Sequence, residues 1–199
     1  MSDITLYAIK PRFVASLRNV TAWCASHGVK PNTVTLWAVP VAGSAGLVLI
    51  AGTHHPAAWL AVAPLLLCLM AINAVDGALA RLTGLTTTRG AVINEAVDRF
   101  GDAAILLPGF LLAPGWVAGA ALATTVASEI AALLAWGATG RRGLVGLMGK
   151  PDRALVVSAA AICAFFLGSS SFAYAYLLIG AGGLATVAQR IIWTVRHVR

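Results

Sequence analysis

The sequence is 199 residues long, 59% hydrophobic and only 11% charged, with 14 Lys plus Arg against 7 Asp plus Glu and a formal net charge of +7. This excludes an ordinary water-soluble domain, in which about a quarter of residues are charged. The basic excess does not mark a nucleic-acid partner, because no basic run is interleaved with aromatic residues. Cys24, Cys68 and Cys163 are odd in number, scattered and without ligand spacing, so they read as small apolar residues rather than disulfide or metal partners.

In chain order, residues 1–12 (MSDITLYAIKPR) lack the long apolar run and small-residue cleavage site of a signal peptide. Residues 11–27 predict an amphipathic helix. Pro11 suits a first helical position, Phe13, Val14, Leu17, Val20 and Cys24 recur at helical spacing, and Arg12 and Arg18 fall off that stripe. Such a helix lies in the headgroup plane ahead of a first span. Gly28 ends it, and Asn32 stands as an N-cap-like residue before the next helix. This gives a juxtamembrane segment over 1–32 and a membrane domain over 33–199.

Six spans are expected, at about 33–52, 57–80, 90–112, 115–138, 154–168 and 171–195. The short gaps THHP, APG and GSSS carry no Lys or Arg. The opposite side collects Lys10, Arg12, Arg18, Lys30, Arg81, Arg89, Arg141, Arg142, Lys150, Arg153, Arg190, Arg196 and Arg199, with Arg99 as the exception. The positive-inside rule then puts both termini in the cytoplasm. The predicted fold is an all-α integral membrane protein with six transmembrane helices after an amphipathic juxtamembrane helix. Its frequent small residues suit close helix packing.

One stretch departs from the apolar background: NAVDGALARLTGLTTTRGAVINEAVDR, residues 73–99. On a helix, Asn73, Asp76 and Ala80 share a face; on the next, Gly90, Asn94, Asp98 and Asp102 do. Intramembrane carboxylates are costly and are functional candidates by default. Gly77, Ala80 and Gly90 remove bulk around the acids, and Arg81 and Arg89 suit phosphate oxygens. Acids for a cation, small residues for access and arginines for phosphate point to metal-assisted phosphoryl chemistry.

At these residues the chain resembles the CDP-alcohol phosphatidyltransferases, whose signature runs D-x2-D-G-x2-A-R-x8-G-x3-D-x3-D. Here it reads Asn73-x2-Asp76-Gly77-x2-Ala80-Arg81-x8-Gly90-x3-Asn94-x3-Asp98, with every spacing kept and Asn at the first and third Asp positions. The resemblance extends over nearly the whole chain. It implies transfer of a phosphatidyl group from a CDP-activated lipid such as CDP-diacylglycerol to an alcohol, with release of CMP, in phospholipid biosynthesis. It also implies one or two Mg²⁺ or Mn²⁺ ions on the pyrophosphate, and often a homodimer, with an active site at the cytoplasmic face of a bacterial-type inner membrane. Residue by residue, it makes Asp76 a metal ligand, Asp98 the base and a metal ligand, and Gly77, Ala80, Arg81 and Gly90 the CDP pocket. Asn73 and Asn94 keep a carbonyl oxygen for the metal but drop a charge each, so the site holds one tight metal or two weak ones. Glu95, beside Asn94, and Asp102, one turn past Asp98, are the carboxylates available to make up the loss. A register shift that makes Asp98 and Asp102 the final pair fails, because Asn94 then stands where Gly belongs.

Lys150 and Arg153, in GKPDR, are candidate contacts for a phosphorylated acceptor by the same resemblance; Arg141 and Arg142 read as membrane anchors. Glu129, mid-span, pairs with an arginine, lines the cleft or is a hydrogen-bonded structural acid. His54 and His55 lack a third ligand nearby. Trp23, Trp37, Trp59, Trp116, Trp136 and Trp193 read mostly as interface anchors, and Thr86 to Thr88 as loop residues. Two other functions compete: a catalytically lapsed relative that binds CDP-lipid as a regulator or partner, and a small ion or proton transporter using buried Asp pairs as a relay, which predicts acids spread through the membrane depth.

Overall fold

The computed structural model describes residues 10–141, 143 and 145–198. The leader expectation for residues 1–12 therefore falls largely outside the described residues, as do the anchoring roles of Arg142 and Arg199 and the side chains of Lys10 and Pro11. Among the described residues all regular structure is helical. The chain divides into two compact units, Leu6–Ile105 and Leu106–Arg199.

The first unit opens with α1 (Lys10–Ser16) and α2 (Arg18–Ser26), so the helix expected over 11–27 is broken at Leu17. Its apolar stripe also shifts: Thr21 and Cys24 are buried, whereas Val20 is 50% and Trp23 59% exposed. Gly28 closes this segment at φ +67, in the left-handed region a side chain disfavours. Next comes α3 (Pro31–Ala51), with Lys30 at its N-cap and Pro31 in its first turn. Asn32 is consequently inside the helix and not its cap.

A 3₁₀ turn, Pro56–Ala61, leads into α4 (Val62–Thr83), which ends at Gly84 with φ +69. After Thr86 and Thr87, α5 (Thr88–Leu106) begins; the Gly90 N–H donates to Thr87 Oγ1 at 3.0 Å and so secures its first turn. Helix α4 packs against α1, α2 and α3. Behind it, Val75 and Leu79 join Cys24 in a small apolar core, with Leu17, Ala25, Val29 and Val34 against them.

The packing of α3 is inside-out by the standards of a soluble protein. Ala38, Ala42, Ala45, Gly46 and Leu49 are buried, while Leu36, Trp37, Leu47 and Ile50 face outward. In water those outward side chains are an aggregation surface; in lipid they are solvated, and small buried residues let helices approach closely. Trp59 is the exception among the expected anchors: it is buried and its Nε1 donates to the Leu49 carbonyl at 3.1 Å, beside Gly52. At that position the indole seals the end of α3 rather than standing in the interface.

The second unit holds α6 (Gly109–Leu112), α7 (Gly115–Thr139), α8 (Lys150–Leu167) and α9 (Ser170–His197). The expected span 90–112 is thus not one helix. Pro108 brings no N–H to the backbone ladder, and the chain turns at Leu107 and Pro108 before α6. Helix α9 packs against α6, α7 and α8. The Tyr176 ring lies over Gly109, where a Cβ would sit 2.8 Å from the ring.

Among the described residues four helical stretches are long and apolar enough to cross a membrane: Pro31–Ala51, Pro56–Thr83, Gly115–Thr139 and Ser170–His197. This is an integral membrane protein. Helices α5 and α8 are shorter and charged, α5 with Arg89, Glu95, Asp98, Arg99 and Asp102, and α8 with Lys150, Asp152 and Arg153. That is why they fall outside the four although six spans are expected.

A Cβ added at Gly46 would sit 2.7 Å from the backbone oxygen of Ala104, so α3 and α5 meet there without room for a side chain. Gly46→Val is expected to destabilise the protein by about 1–3 kcal/mol through overpacking, read as a lowered melting temperature in detergent, whereas Gly119→Ala, in open space, leaves the melt unchanged.

Candidate functional site

The polar stretch of the sequence folds around one cavity of about 330 Å³ within the first unit. Its walls come from α3 (Asn32, Thr35), α4 (Asn73, Asp76, Gly77, Ala80, Arg81), the Leu85–Thr87 turn and the start of α5 (Gly90, Asn94). The α4 residues recur at three- and four-residue intervals, which puts them on one helical face. The left-handed turn at Gly84 then sends the chain back so that Gly90 and Asn94 come against that face.

Asp76 is the buried charge of the site, 6% exposed, and the Thr35 hydroxyl donates to its Oδ2 at 2.8 Å. This bond joins α3 to α4. Asn73 lies one turn earlier, and its Oδ1 is buried with no hydrogen-bond partner. An acceptor oxygen left in that condition is costly unless something else engages it. Arg81 is exposed at the mouth, with Nη1 3.5 Å from where a Cβ on Gly77 would stand. On the facing wall, a Cβ on Gly90 would come 3.0 Å from Asn32 Oδ1 and 3.1 Å from Thr87 Oγ1, so a side chain there would narrow the cavity.

The expected site residues divide accordingly. Asn73, Asp76, Gly77, Ala80, Arg81, Gly90 and Asn94 come together on the cavity walls. Asp98 lies one turn beyond Asn94 on α5 and Arg89 at the start of that helix; neither is among the lining residues. Glu95 is bound to Arg99 at 3.2 Å, and the same guanidinium holds Asp102 at 3.3 Å. Thr35 and Asn32 were not anticipated as site residues. Their signal was present: two polar residues three apart near the start of an otherwise apolar helix.

Among the described residues no three His, Cys, Asp or Glu side chains converge as a metal centre. The donors at the cavity are one carboxylate and neutral oxygens, with the Asn73 oxygen already stripped of other partners. An all-oxygen set of this kind fits a hard divalent cation and not a soft one.

In the second unit, Lys150 and Arg153 open α8, where Asp152 accepts from the Gly149 N–H at 2.9 Å. Arg153 is fully buried, donates to the Met148 carbonyl at 3.3 Å and meets Glu129 at 3.7 Å. Arg190, 2% exposed, meets the same carboxylate at 3.7 Å and donates to the carbonyls of Val145 and Ser128. Glu129 is therefore a paired acid between α8 and α9, and Arg153 and Arg190 are not headgroup anchors.

Residues 29–195 match the family model for CDP-alcohol phosphatidyltransferase. The chain belongs to the CDP-alcohol phosphatidyltransferase family. It is 38% identical over 156 residues to the inner membrane protein YnbA of Escherichia coli, covering 77% of each chain. It is 31% identical over 177 residues to a phosphatidylinositol phosphate synthase of Mycobacteroides abscessus, covering 82% of this chain and 76% of that one. The fold is similar to that of the Mycobacterium tuberculosis phosphatidylinositol phosphate synthase with CDP-DAG bound, at TM-score 0.73 and 21% identity over 88% of this chain and 92% of that one. The same enzyme in complex with manganese and citrate superposes at TM-score 0.72 and 22% identity, over 89% and 88%. A CDP-alcohol phosphatidyltransferase works on a nucleotide-linked phosphate ester with divalent ions, and the oxygen-lined cavity suits that class of substrate.

Thr35→Val keeps the shape of the side chain and removes the hydroxyl that donates to Asp76 Oδ2. It is expected to weaken Mn²⁺ binding about tenfold in calorimetric titration of the purified protein. Glu129→Gln leaves two buried arginines facing a neutral amide. A loss on the order of 3 kcal/mol is expected, seen as a lower melting temperature with Mn²⁺ affinity unchanged.

Proposed function

We propose that this protein moves a phosphatidyl group from a CDP-activated lipid such as CDP-diacylglycerol to the hydroxyl of an alcohol, releasing CMP. The observation that carries this is the cavity itself, where seven of the eight signature positions converge around Asp76. CDP lies against Gly77, Ala80 and Gly90, where the walls carry least bulk, and Arg81 at the mouth takes phosphate oxygens through its forked donors. Asn73, Asp76 and Asn94, with Asp98 behind them, hold Mg²⁺ or Mn²⁺. When bound, the metal supplies neutralisation of charge on the pyrophosphate.

Asp98 is the base. Its carboxylate takes the proton of the acceptor hydroxyl as that oxygen bonds to the lipid-side phosphorus and the pyrophosphate P–O bond breaks, with CMP as the leaving group. Thr35 orients Asp76 and takes no proton. The acceptor is an alcohol, and Lys150 is its contact where it carries a phosphate; Arg153, engaged by Glu129, is the weaker candidate. In cells we place the protein in a bacterial-type inner membrane with both termini cytoplasmic. The charged helices α5 and α8 complete six spans, and α1 and α2 lie in the headgroup plane. A homodimer is the assembly the family suggests.

Purified protein supplied with CDP-diacylglycerol, Mn²⁺ and a panel of alcohols is expected to release CMP with one of them. Asp98→Asn should reduce that release by about 10²–10⁴-fold while CDP-diacylglycerol binding persists. Binding without turnover by the unaltered protein, under every metal and alcohol tried, would make it a lapsed relative instead.

A further inference from the structure

The two Asn residues determine how much cation the cavity can hold. We infer that it binds one divalent ion rather than two, and that Glu95 is not a ligand. The inference rests on the transferase reading for the existence of the site, and concerns only its ion count and donor set.

Charge is the first argument. Asp76 lines the cavity and Asp98 is the nearest further carboxylate along the α5 signature face; together they balance one divalent ion. A second ion would leave two positive charges over, beside Arg81 on the same wall. Ligand chemistry is the second. Two ions about 3.5–4 Å apart are held by carboxylates that present one oxygen to each. Asn73 and Asn94 present one oxygen apiece, and their NH₂ groups repel a cation. The buried Asn73 oxygen, with no hydrogen-bond partner, suits a terminal ligand to a single ion. Asp76 gives one oxygen to Thr35, which restricts its use as a bridge.

The third argument disposes of the replacements. Glu95 follows Asn94 directly, so it stands about 100° around α5 from it. Arg99 holds it there at 3.2 Å, and holds Asp102 at 3.3 Å. The acids that the sequence offers in place of the missing charge are thus already engaged by one guanidinium built into their own helix.

The test is a count. The full chain in nanodiscs, stripped with chelator, is titrated with Mn²⁺ and read by electron paramagnetic resonance. One Mn²⁺ per chain with an uncoupled six-line spectrum is expected; two per chain with an exchange-coupled spectrum overturns the inference while leaving the transferase reading intact. Binding of no Mn²⁺ at all overturns both. The double variant N73D/N94D should take a second ion and acquire the coupled spectrum. E95Q should leave Mn²⁺ affinity within about twofold, and a fall of about tenfold or more overturns the assignment of Glu95. The wild-type count stands even if a variant fails to fold.

Discussion

A carboxylate held inside an apolar helix pair must be solvated by the protein, and the bond from Thr35 to Asp76 is where the first unit meets that requirement. The bond fixes the rotation of α4 relative to α3, because a hydroxyl and a carboxylate at 2.8 Å tolerate little sliding. Once α4 is fixed in this rotation, Val75 and Leu79 face the Cys24 core on one side. Asn73, Gly77, Ala80 and Arg81 then face the cavity on the other. The site and the core are two faces of one helix in one register, so a change that rotates α4 disturbs both.

The second unit meets the same requirement by pairing. Glu129 sits in the long apolar helix α7, and two buried arginines from α8 and α9 converge on it. The two guanidinium groups also donate to the backbone carbonyls of Met148, Val145 and Ser128. A single acid between two bases ties three helices together at one point. Most of the other packing there is among small residues such as Ala118, Ala121, Ala131 and Ala135, whose contacts are close but carry little specificity of register. A charged cluster is one of the few devices available in lipid for setting that register.

Much of this was legible in the sequence because period and spacing are geometric. The intervals 73, 76, 77, 80, 81 and 90, 94 are helical intervals joined by a turn, and the structure puts them on one cavity. Of the six spans expected, four coincide with helices among the described residues that are long and apolar enough to cross a membrane. What escaped depends on contacts between distant residues. Thr35 looks like any threonine in a helix until α4 is placed beside it. Trp59 looks like an interface anchor until Gly52 and the Leu49 carbonyl are seen to receive it. Val20 and Thr21 exchange places because both lie a helical turn from Leu17 and Cys24, and spacing alone does not choose between them. Pro108 was in plain view, but an apolar run around it hides where a helix stops.

An Asp-to-Asn exchange keeps size and one donor oxygen, so the walls of the cavity retain their shape while the field inside it weakens. That separation explains how a chain keeps every spacing of a signature and still differs at two of its acids. Shape is set by Gly77, Ala80 and Gly90 and by the turn at Gly84, none of which is sensitive to the charge at 73 or 94. The carboxylate on the cavity wall is Asp76, and Glu95 and Asp102 are paired with Arg99. With a weaker field the cavity depends more on where its oxygens stand and less on how many charges surround it. The position of Asp76 therefore matters more here than in a site with four carboxylates. The Thr35 hydroxyl, which fixes that position, is part of the site's chemistry as well as of its packing.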